Sequence, residues 1–312
     1  MLKDWLSEIR VKSLLLASTN CALGCGLGFY YGKVTLYSFT TAFFIVVTGI
    51  LLQILSNFAD DYGDAIKKAD GPNRLGPIRA VMLGSISLTT LRKSLVTVTI
   101  LATITGSIAL LMAVGSNMQV LSWFVFIGVG AILAAIFYTI GISYGYKGLG
   151  DFAVFIFFGL TAVIGSQILV LGSIDHSIDI FPDTCFIACA VGIQSVMVLH
   201  VASMRDIKED RLSGKMTIAS RLGPKKSSYY LLGLFFSSLV LSFTACFTSH
   251  QVWEFFIIAI AFIPLFASTY RCFIHCEDGA KLAKERKYSL LGCAIHNIAW
   301  MILLAVDFWF YY

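Results

Sequence analysis

Charged residues and prolines are scarce in this 312-residue chain, and each shortage excludes a class of protein. Only 13% of the residues are Asp, Glu, Lys or Arg, whereas a soluble domain carries about 25%. Five prolines are too few for a linker-rich multidomain protein. The apolar share of 58% and the mean hydropathy of +0.82 indicate more apolar surface than one water-facing domain can bury. The same values exclude a disordered chain. We therefore predict an integral membrane protein with a single domain over residues 1–312.

The chain also lacks a CxxC element and a signal-peptide cleavage site near its N-terminus. Its eight cysteines include pairs spaced four residues apart in apolar or helix-like stretches: Cys21/Cys25, Cys185/Cys189 and Cys272/Cys276. That spacing places both members on one helix face, so we expect packing residues rather than disulfides or metal ligands. The charged opening MLKDWLSEIRVK predicts that no signal peptide is removed.

Nine apolar runs are long enough to cross a membrane as helices, which need about 20 mostly apolar residues each. Because the runs are continuous rather than alternating, transmembrane strands are excluded. We predict an all-α polytopic bundle of nine transmembrane helices. Their expected bounds are Ser13–Tyr31, Phe39–Ala59, Ser94–Val114, Val120–Tyr138, Phe152–Leu171, Thr184–Ser203, Ser228–Thr248, Val252–Tyr270 and Ser289–Phe310.

The basic residues indicate how these helices are oriented. When alternate loops are placed on opposite sides, all but one of the 23 Lys and Arg residues share the side of the N-terminus, and the exception is Lys33. Cytoplasmic loops carry such an excess of positive charge. We therefore expect a cell inner (cytoplasmic) membrane protein with its N-terminus and active-site loops in the cytoplasm and its C-terminus on the far side.

Two groups of oxygen-bearing side chains occupy equivalent places, four helices apart. They are Asn57, Asp61 and Asp64 after the second apolar run, and Asp206 and Asp210 after the sixth. Residues one helical turn apart share a face, so each group can direct its oxygens toward one point. The spacing suggests a weak internal duplication in which the two groups face each other across the bundle.

Acidic residues can also lie at a solvated helix end, where they pair with neighbouring lysines. This alternative explains a single cluster well, but it explains two clusters at matching positions less well. Like charges one turn apart repel unless a cation neutralises them, and all-oxygen ligands suit Mg²⁺, which commonly bridges to phosphate oxygens. Basic side chains of the kind that bind phosphate lie nearby in the sequence: Arg74, Arg79, Lys147, Arg205, Arg211 and Lys215. These residues predict a diphosphate site, and a diphosphate at a membrane surface most simply belongs to a lipid.

Four motif regions together resemble a known family. They run from Trp5 to Leu14, from Asn57 to Gly84, from Tyr138 to Gly159 and from Arg205 to Gly223, and they include DDYGD, GPIR, YKGLG and RD…DR. In these regions the chain is similar to the UbiA superfamily of intramembrane prenyltransferases. The Gly-Pro-x-Arg element at Gly76 to Arg79 resembles the branch that prenylates 1,4-dihydroxy-2-naphthoate, since other branches usually have Arg-Pro there.

The resemblance implies a Mg²⁺-dependent transferase that moves a polyprenyl group from polyprenyl diphosphate to 1,4-dihydroxy-2-naphthoate. Carbon dioxide and pyrophosphate would be lost, giving demethylmenaquinol in menaquinone biosynthesis. Implied catalytic residues are Asp61, Asp206 and Lys147; implied metal ligands are Asn57, Asp61, Asp64, Asp206 and Asp210; implied diphosphate-binding residues are Arg74, Arg79, Lys147, Arg205, Lys215 and Lys12. The expected partners are the donor, an aromatic acid acceptor and the bilayer, without nucleic acid or an obligate protein partner.

Several alternatives stay open at this point. The chain departs from the family's pattern at Ala202-Ser203, at Ser143-Tyr144 and at Lys147, so 4-hydroxybenzoate or homogentisate is the alternative acceptor. Prenyl length, oligomeric state and the roles of Asp60 and His200 are likewise open. A secondary transporter is disfavoured, because carriers place ionisable groups near mid-membrane at broken helices, whereas nearly all acids here lie at one face.

Overall fold

Long apolar helices make up the computed structural model, which describes residues 2–67, 69, 75–76, 79–115, 117–249 and 252–311. Nine of the described helical segments are long and apolar enough to cross a membrane, and no strand occurs among the described residues. The predicted all-α bundle is therefore confirmed. The elements are α1 (Leu2–Ile9), α2 (Val11–Tyr31), α3 (Leu36–Lys67), α4 (Leu88–Val114), α5 (Met118–Phe137), a 3₁₀ turn (Tyr144–Lys147), α6 (Gly150–Val154), a π-helix (Phe155–Gly165), α7 (Ser166–Asp175), α8 (Pro182–Arg205), α9 (Ile207–Leu212), α10 (Ile218–Ser249), α11 (Val252–Ile274) and α12 (Gly279–Tyr311).

Local sequence signals set several of the helix starts. The Ser87 hydroxyl accepts a hydrogen bond from the Thr90 amide at 3.1 Å, and Asn117 Oδ1 accepts one from the Val120 amide at 3.2 Å. These contacts satisfy amide groups that have no partner within the first helical turn. Pro182 begins α8, where its missing N–H costs nothing.

Several helices extend beyond the apolar runs that predict them, and the extensions carry charged residues; α4 begins at Leu88 and α10 at Ile218. Helix α3 continues past Ala59 to Lys67, and α12 begins at Gly279 rather than near Ser289. A span predicted from apolar residues ends at the first charged residue. The helix itself continues past that residue when the charged side chain reaches water or a partner, because the backbone hydrogen bonds are not interrupted. The first acidic cluster consequently lies on a rigid helix rather than in a loop.

A π-helix interrupts the fifth membrane-spanning segment and packs closely against two neighbours. A Cβ atom built on Gly159 would lie 2.5 Å from the Gly192 Cα, so only glycine lets the π-helix approach α8 this closely. From α2, Asn20 Nδ2 donates a hydrogen bond to the Phe158 carbonyl at 2.8 Å. This bond ties the π-helix to α2.

Candidate active site

A cavity of about 710 Å³ lies among α2, α3, α4, α5, the π-helix and α8. Its apolar wall includes Phe157, Phe158 and Leu169. Its charged wall is formed where α3 and α8 end, and it consists of Asp60, Asp64, Asp206, Glu209, Asp210, Arg10, Arg79, Arg205, Lys215 and Arg286. The two acidic clusters therefore face one cavity, as their matched positions in the sequence predict.

Asp60 and Asp64 are the carboxylates of α3 that line the cavity. They are four residues apart, so they share a helix face. Arg10 Nη2 contacts Asp60 Oδ2 at 2.7 Å, while Asp60 Oδ1 is buried and has no hydrogen-bond partner among the residues that the structure describes. The Tyr146 hydroxyl donates to Asp64 Oδ1 at 2.6 Å. Asp60, whose role the sequence left open, thus presents an oxygen that a cation in the cavity can bind.

Asp61 lies behind this wall rather than on it. Its side chain is 0% exposed, and Arg79 Nε lies 3.1 Å from its Oδ1 atom. Arg10 donates a hydrogen bond to the same oxygen. Because successive helical residues point about 100° apart, a helix that directs Asp60 into the cavity turns Asp61 toward α1 and the loop that follows Arg79. The structure therefore does not bring Asp61 to the cavity surface with Asp64.

The second cluster belongs to the junction of α8 and α9. Arg205 Nε donates to Asp206 Oδ1 at 2.6 Å, and Thr217 Oγ1 donates to Asp210 Oδ2 at 3.1 Å. Burial raises the pKa of Asp210 to about 6; Lys215 opposes the shift and Asp206 adds to it. The shift shows that this carboxylate lies in a poorly solvated place beside another negative charge, which is an environment that favours a bound cation.

Lys215 lies between the two clusters. Its Nζ atom is 4.0 Å from Asp64 Oδ2 and 5.0 Å from the centre of the Tyr146 ring. Burial lowers the pKa of Lys215, but the charges of Asp64 and Asp60 outweigh it and hold the pKa well above its usual range. Lys215 is therefore a permanent cation at the centre of the charged wall.

Asn57 has all its hydrogen-bonding groups engaged. Gln53 Nε2 donates to its Oδ1 atom at 2.9 Å, and its amide donates to the Ile9 carbonyl at 2.9 Å and the Ser13 hydroxyl at 3.0 Å. Asn57 lines the cavity, yet these bonds give it a clear structural task. It fixes the junction of α1 and α2 against α3 and thereby places Arg10 beside Asp60.

Several of the predicted phosphate-binding cations lie away from the cavity wall. The side chains of Lys12, Lys147 and Arg211 are exposed and do not line the cavity, and Arg74 lies outside the described residues. Arg79, Arg205 and Lys215 do line it.

Sequence reasoning missed Arg10 and Arg286 as wall residues. Arg10 adopts a left-handed conformation (φ 54°, ψ 52°) that separates α1 from α2 and turns its side chain toward α3. No local pattern signals that turn. Arg286, in contrast, could have been found from its spacing, because it lies one turn from the buried residues Leu282 and Leu290.

The wall has the donor chemistry of a Mg²⁺ site but is arranged as ion pairs. Among the described residues, no three carboxylate, imidazole or thiolate side chains lie close enough to hold one metal ion together. The carboxylates are instead engaged by Arg10, Arg205 and Lys215. The oxygen donors lie on two facing elements, and this donor set fits a hard divalent cation. One of these oxygens, Asp60 Oδ1, is buried and has no hydrogen-bond partner among the described residues. An anion that binds the basic side chains would free the other carboxylates to bind the cation.

His200 is buried beneath the second cluster and does not line the cavity. One ring nitrogen lies 3.2 Å from the Ser227 carbonyl, and the ring packs against Tyr230 with centroids 4.8 Å apart. These contacts join α8 to α10, so His200, whose role the sequence left open, packs between these two helices.

Curated relatives match most of the chain. It is 32% identical over 307 residues to the 1,4-dihydroxy-2-naphthoate octaprenyltransferase of Escherichia coli (strain K12), covering 98% of this chain and 96% of the relative. It is 36% identical over 284 residues to the enzyme of the same name from Haemophilus influenzae, covering 89% of this chain and 87% of that one.

Solved structures share the fold. A UbiA homolog from Aeropyrum pernix K1 superposes with a TM-score of 0.71 at 13% identity, covering 94% of this chain and 98% of that one. A UbiA homolog from Archaeoglobus fulgidus, bound to DMAPP and Mg²⁺, superposes with a TM-score of 0.62 at 16% identity, covering 96% and 99%. Residues 19–291 match the profile of the UbiA prenyltransferase family. With this match and the close relatives, the chain belongs to the UbiA prenyltransferase family.

Proposed function

We propose that this protein transfers a polyprenyl group from polyprenyl diphosphate to 1,4-dihydroxy-2-naphthoate, releasing carbon dioxide and pyrophosphate and giving demethylmenaquinol for menaquinone biosynthesis. The observation that carries the proposal is a single cavity with two carboxylate clusters and several cations on one wall and apolar side chains on the rest. Such a cavity suits a substrate with a diphosphate head and a long apolar tail. The two named relatives support the choice of acceptor.

The site residues divide between metal and phosphate. Mg²⁺ would be held by Asp60 and Asp64 of α3 with Asp206 and Asp210 of the α8–α9 junction, and it would neutralise charge on the diphosphate leaving group. The structure leads us to prefer Asp60 to Asp61 as the ligand, since Asp60 lines the cavity. Asp61 and Asn57 then act as positioning residues.

Lys215, Arg79 and Arg205 would bind the diphosphate oxygens. Each is paired with a carboxylate in the structure, with Asp64, Asp61 and Asp206 respectively. An entering phosphate can take over a guanidinium or ammonium group and leave the carboxylate available for a cation. The same side chains then stabilise the charge that develops on pyrophosphate as the C–O bond breaks. Lys12 and Lys147 are exposed and do not line this wall, and the role of Arg74, which lies outside the described residues, stays a prediction.

The apolar wall protects the reacting carbon. The aromatic side chains of Tyr138, Phe157 and Phe158 line the cavity, and their π faces can stabilise an allylic cation while excluding water. The electron-rich naphthoate ring attacks this cation at the carbon bearing its carboxylate. Loss of carbon dioxide restores the aromatic ring, so no strong general base is needed.

The same proposal includes an orientation in the membrane. The charged wall and nearly all basic residues lie on the side that we assign to the cytoplasm, in a bacterial inner membrane. The whole helical bundle forms one catalytic unit. A cysteine-accessibility experiment on exposed Lys284→Cys, in a background without its eight native cysteines, would test the assignment from each side of the membrane.

The decisive test is product analysis with the purified full-length protein in detergent. We expect polyprenyl diphosphate and carboxyl-labelled 1,4-dihydroxy-2-naphthoate to give a prenylated product without the label, only when Mg²⁺ is present. We expect 4-hydroxybenzoate to react more slowly. Retention of the label, or faster reaction with hydroxybenzoate, would refute the acceptor assignment while leaving prenyl transfer intact; no transfer to any aromatic acceptor would refute both.

A further inference from the structure

A connected group of polar side chains lies inside the helical bundle. Its five members are buried and come from three membrane-spanning helices: Asn20 of α2, Ser242 of α10, and His296, Asn297 and Trp300 of α12. None of the five lines the cavity. Polar side chains in membrane-spanning helices cost free energy unless they are hydrogen-bonded, and they commonly mark functional positions. The steps of prenyl transfer described above use none of them, so their presence needs a reason.

The hydrogen bonds of this group begin at an indole and have a fixed direction. The Trp300 N–H can only donate, and it lies 3.2 Å from His296 Nε2. Nε2 is therefore an acceptor, so the imidazole is neutral and carries its proton on Nδ1. Nδ1 lies 3.3 Å from Asn297 Oδ1 and donates to it. Ser242 Oγ, 2.9 Å from Nε2, is then a second donor to that nitrogen.

The chain of bonds continues from α12 to α2 and ends on the π-helix. Asn297 Nδ2 donates to Asn20 Oδ1 at 2.7 Å, and Asn20 Nδ2 donates to the Phe158 carbonyl at 2.8 Å. A carbonyl can only accept, so the last bond has the same direction as the first. Asn20 Nδ2 also donates to Ser195 Oγ of α8 at 3.1 Å. The Asn20 amide is thereby held with its donor group directed at the π-helix and α8.

The carbonyl that ends this chain belongs to a residue of the apolar cavity wall. Phe158 lines the cavity, as does its neighbour Phe157. One turn after Asn20, a Cβ atom built on Gly24 would lie 2.3 Å from the Val163 carbonyl oxygen, so α2 and the π-helix are in backbone contact there. Two contacts with α2, a hydrogen bond at Phe158 and close packing at Val163, therefore fix the position of the π-helix beside the cavity.

We propose that Asn20 is a positioning residue, which holds the Phe158 backbone so that the apolar wall keeps water away from the allylic cation. This inference rests on the proposed function. The hydrogen bonds from Trp300 through His296 and Asn297 orient the Asn20 amide for this task. A closed apolar site prevents the capture of a reactive intermediate by water. Loss of the bond would let the π-helix move away from α2 and would admit water.

Water and the acceptor compete for the same cation. Ionisation breaks the C–O bond of the donor and leaves its electron pair on pyrophosphate. Attack by the naphthoate carbon forms the new C–C bond, and the electron pair of the ring–carboxylate bond returns to the ring as carbon dioxide departs. Attack by a water oxygen instead forms a C–O bond and releases one proton to solvent, which gives a polyprenyl alcohol. The ratio of alcohol to prenylated naphthoate therefore reports how well the wall excludes water.

Measuring this product ratio for Asn20→Leu, with the purified full-length protein and saturating acceptor, tests the proposal. Leucine keeps the branched heavy-atom framework of asparagine but cannot donate a hydrogen bond. We expect the ratio to rise about tenfold over the wild type, which corresponds to ~1.4 kcal/mol. A lower amount of folded enzyme reduces both products equally, so a purely structural role of Asn20 would not change the ratio.

Thr41→Val is the matched control. Thr41 is a buried residue of α3 that does not line the cavity, and its hydroxyl donates to the Tyr37 carbonyl at 3.0 Å. Valine keeps the shape of threonine and removes this bond, which does not involve the π-helix. The variant should give the product ratio of the wild type.

Asn297→Leu decides the question if Asn20→Leu does not fold. It keeps Asn20 but removes the donor that orients the Asn20 amide, so we expect a smaller rise in the ratio, about threefold. An unchanged ratio in Asn20→Leu or, where that variant does not fold, in Asn297→Leu would overturn the proposal, and so would an equal rise in Thr41→Val. A wild type that prenylates no aromatic acceptor would refute the proposed function instead.

Discussion

Asp60 and Asp61 are adjacent in the chain, but the structure predicts that replacing them by asparagine has different effects. Asp61 is 0% exposed and contacts both Arg10 and Arg79, whereas Asp60 is 17% exposed and, among the described residues, forms an ion pair with Arg10 alone. Asp61→Asn therefore removes the negative charge between two guanidinium groups. Asp60→Asn leaves the contact between Arg10 and Asp61 in place. It removes one negative charge from the cavity wall.

The expected magnitudes follow from burial. Removing one member of a buried ion pair costs about 3 kcal/mol, because the opposite charge stays buried. For a chain of this size about 3 kcal/mol lowers the melting temperature by roughly 6 °C. Asp60→Asn should lower it by less than about 2 °C, since Arg10 keeps its ion pair with Asp61. Its transferase activity should nevertheless fall about a hundredfold or more, because a charged ligand for the metal is lost.

The assay compares melting temperature and Mg²⁺-dependent prenyl transfer for both variants in detergent. Asp278→Asn is the control, since Asp278 forms an exposed ion pair with Lys281 and should change neither quantity. An Asp61→Asn protein with wild-type stability and no activity would show that Asp61 is a metal ligand and that Asp60 is the wrong choice.

Three other predictions concern packing, pH and metal. Gly159→Ala should lower the free energy of unfolding by about 1–3 kcal/mol, because the new Cβ would meet the Gly192 backbone. The control Gly233→Ala, with no atom near its Cβ, should be neutral or stabilising. Thermal unfolding measures both variants, and equal effects would contradict the close approach of the π-helix to α8. Burial, together with the nearby charge of Asp61, raises the pKa of Glu8 to about 7. The wild type should therefore lose stability relative to Glu8→Gln as the pH rises from 5 to 8, because the buried carboxyl must then give up its proton. Melting temperatures that change in parallel with pH for the two proteins would refute this. EDTA should abolish prenyl transfer and excess Mg²⁺ should restore it, as product assays would show, and chelator-insensitive transfer would exclude the metal.

The membrane-spanning architecture follows from local features of the sequence. The nine apolar runs correspond to nine helices, in the part of the chain that the structure describes, that are long and apolar enough to cross a membrane. A helix satisfies its own backbone hydrogen bonds, so the length of an apolar run suffices to identify it. The matched positions of the two acidic clusters also predicted that both face one cavity; Asp64, Asp206 and Asp210 line it, whereas Asp61 does not. Both conclusions depend on spacing along the chain, which the fold preserves.

Which charged side chains enter the cavity depends instead on how the helices pack. Asp60 and Asp61 have the same chemistry and adjacent positions, and the rotation of α3 against α1 chooses between them. Arg10 enters because the chain takes a left-handed turn there, while Lys12 and Lys147 remain exposed. Arg286 comes from the far end of the chain through the packing of α12 beside α8. Contacts of this kind join residues distant in sequence, so local patterns and composition do not specify them.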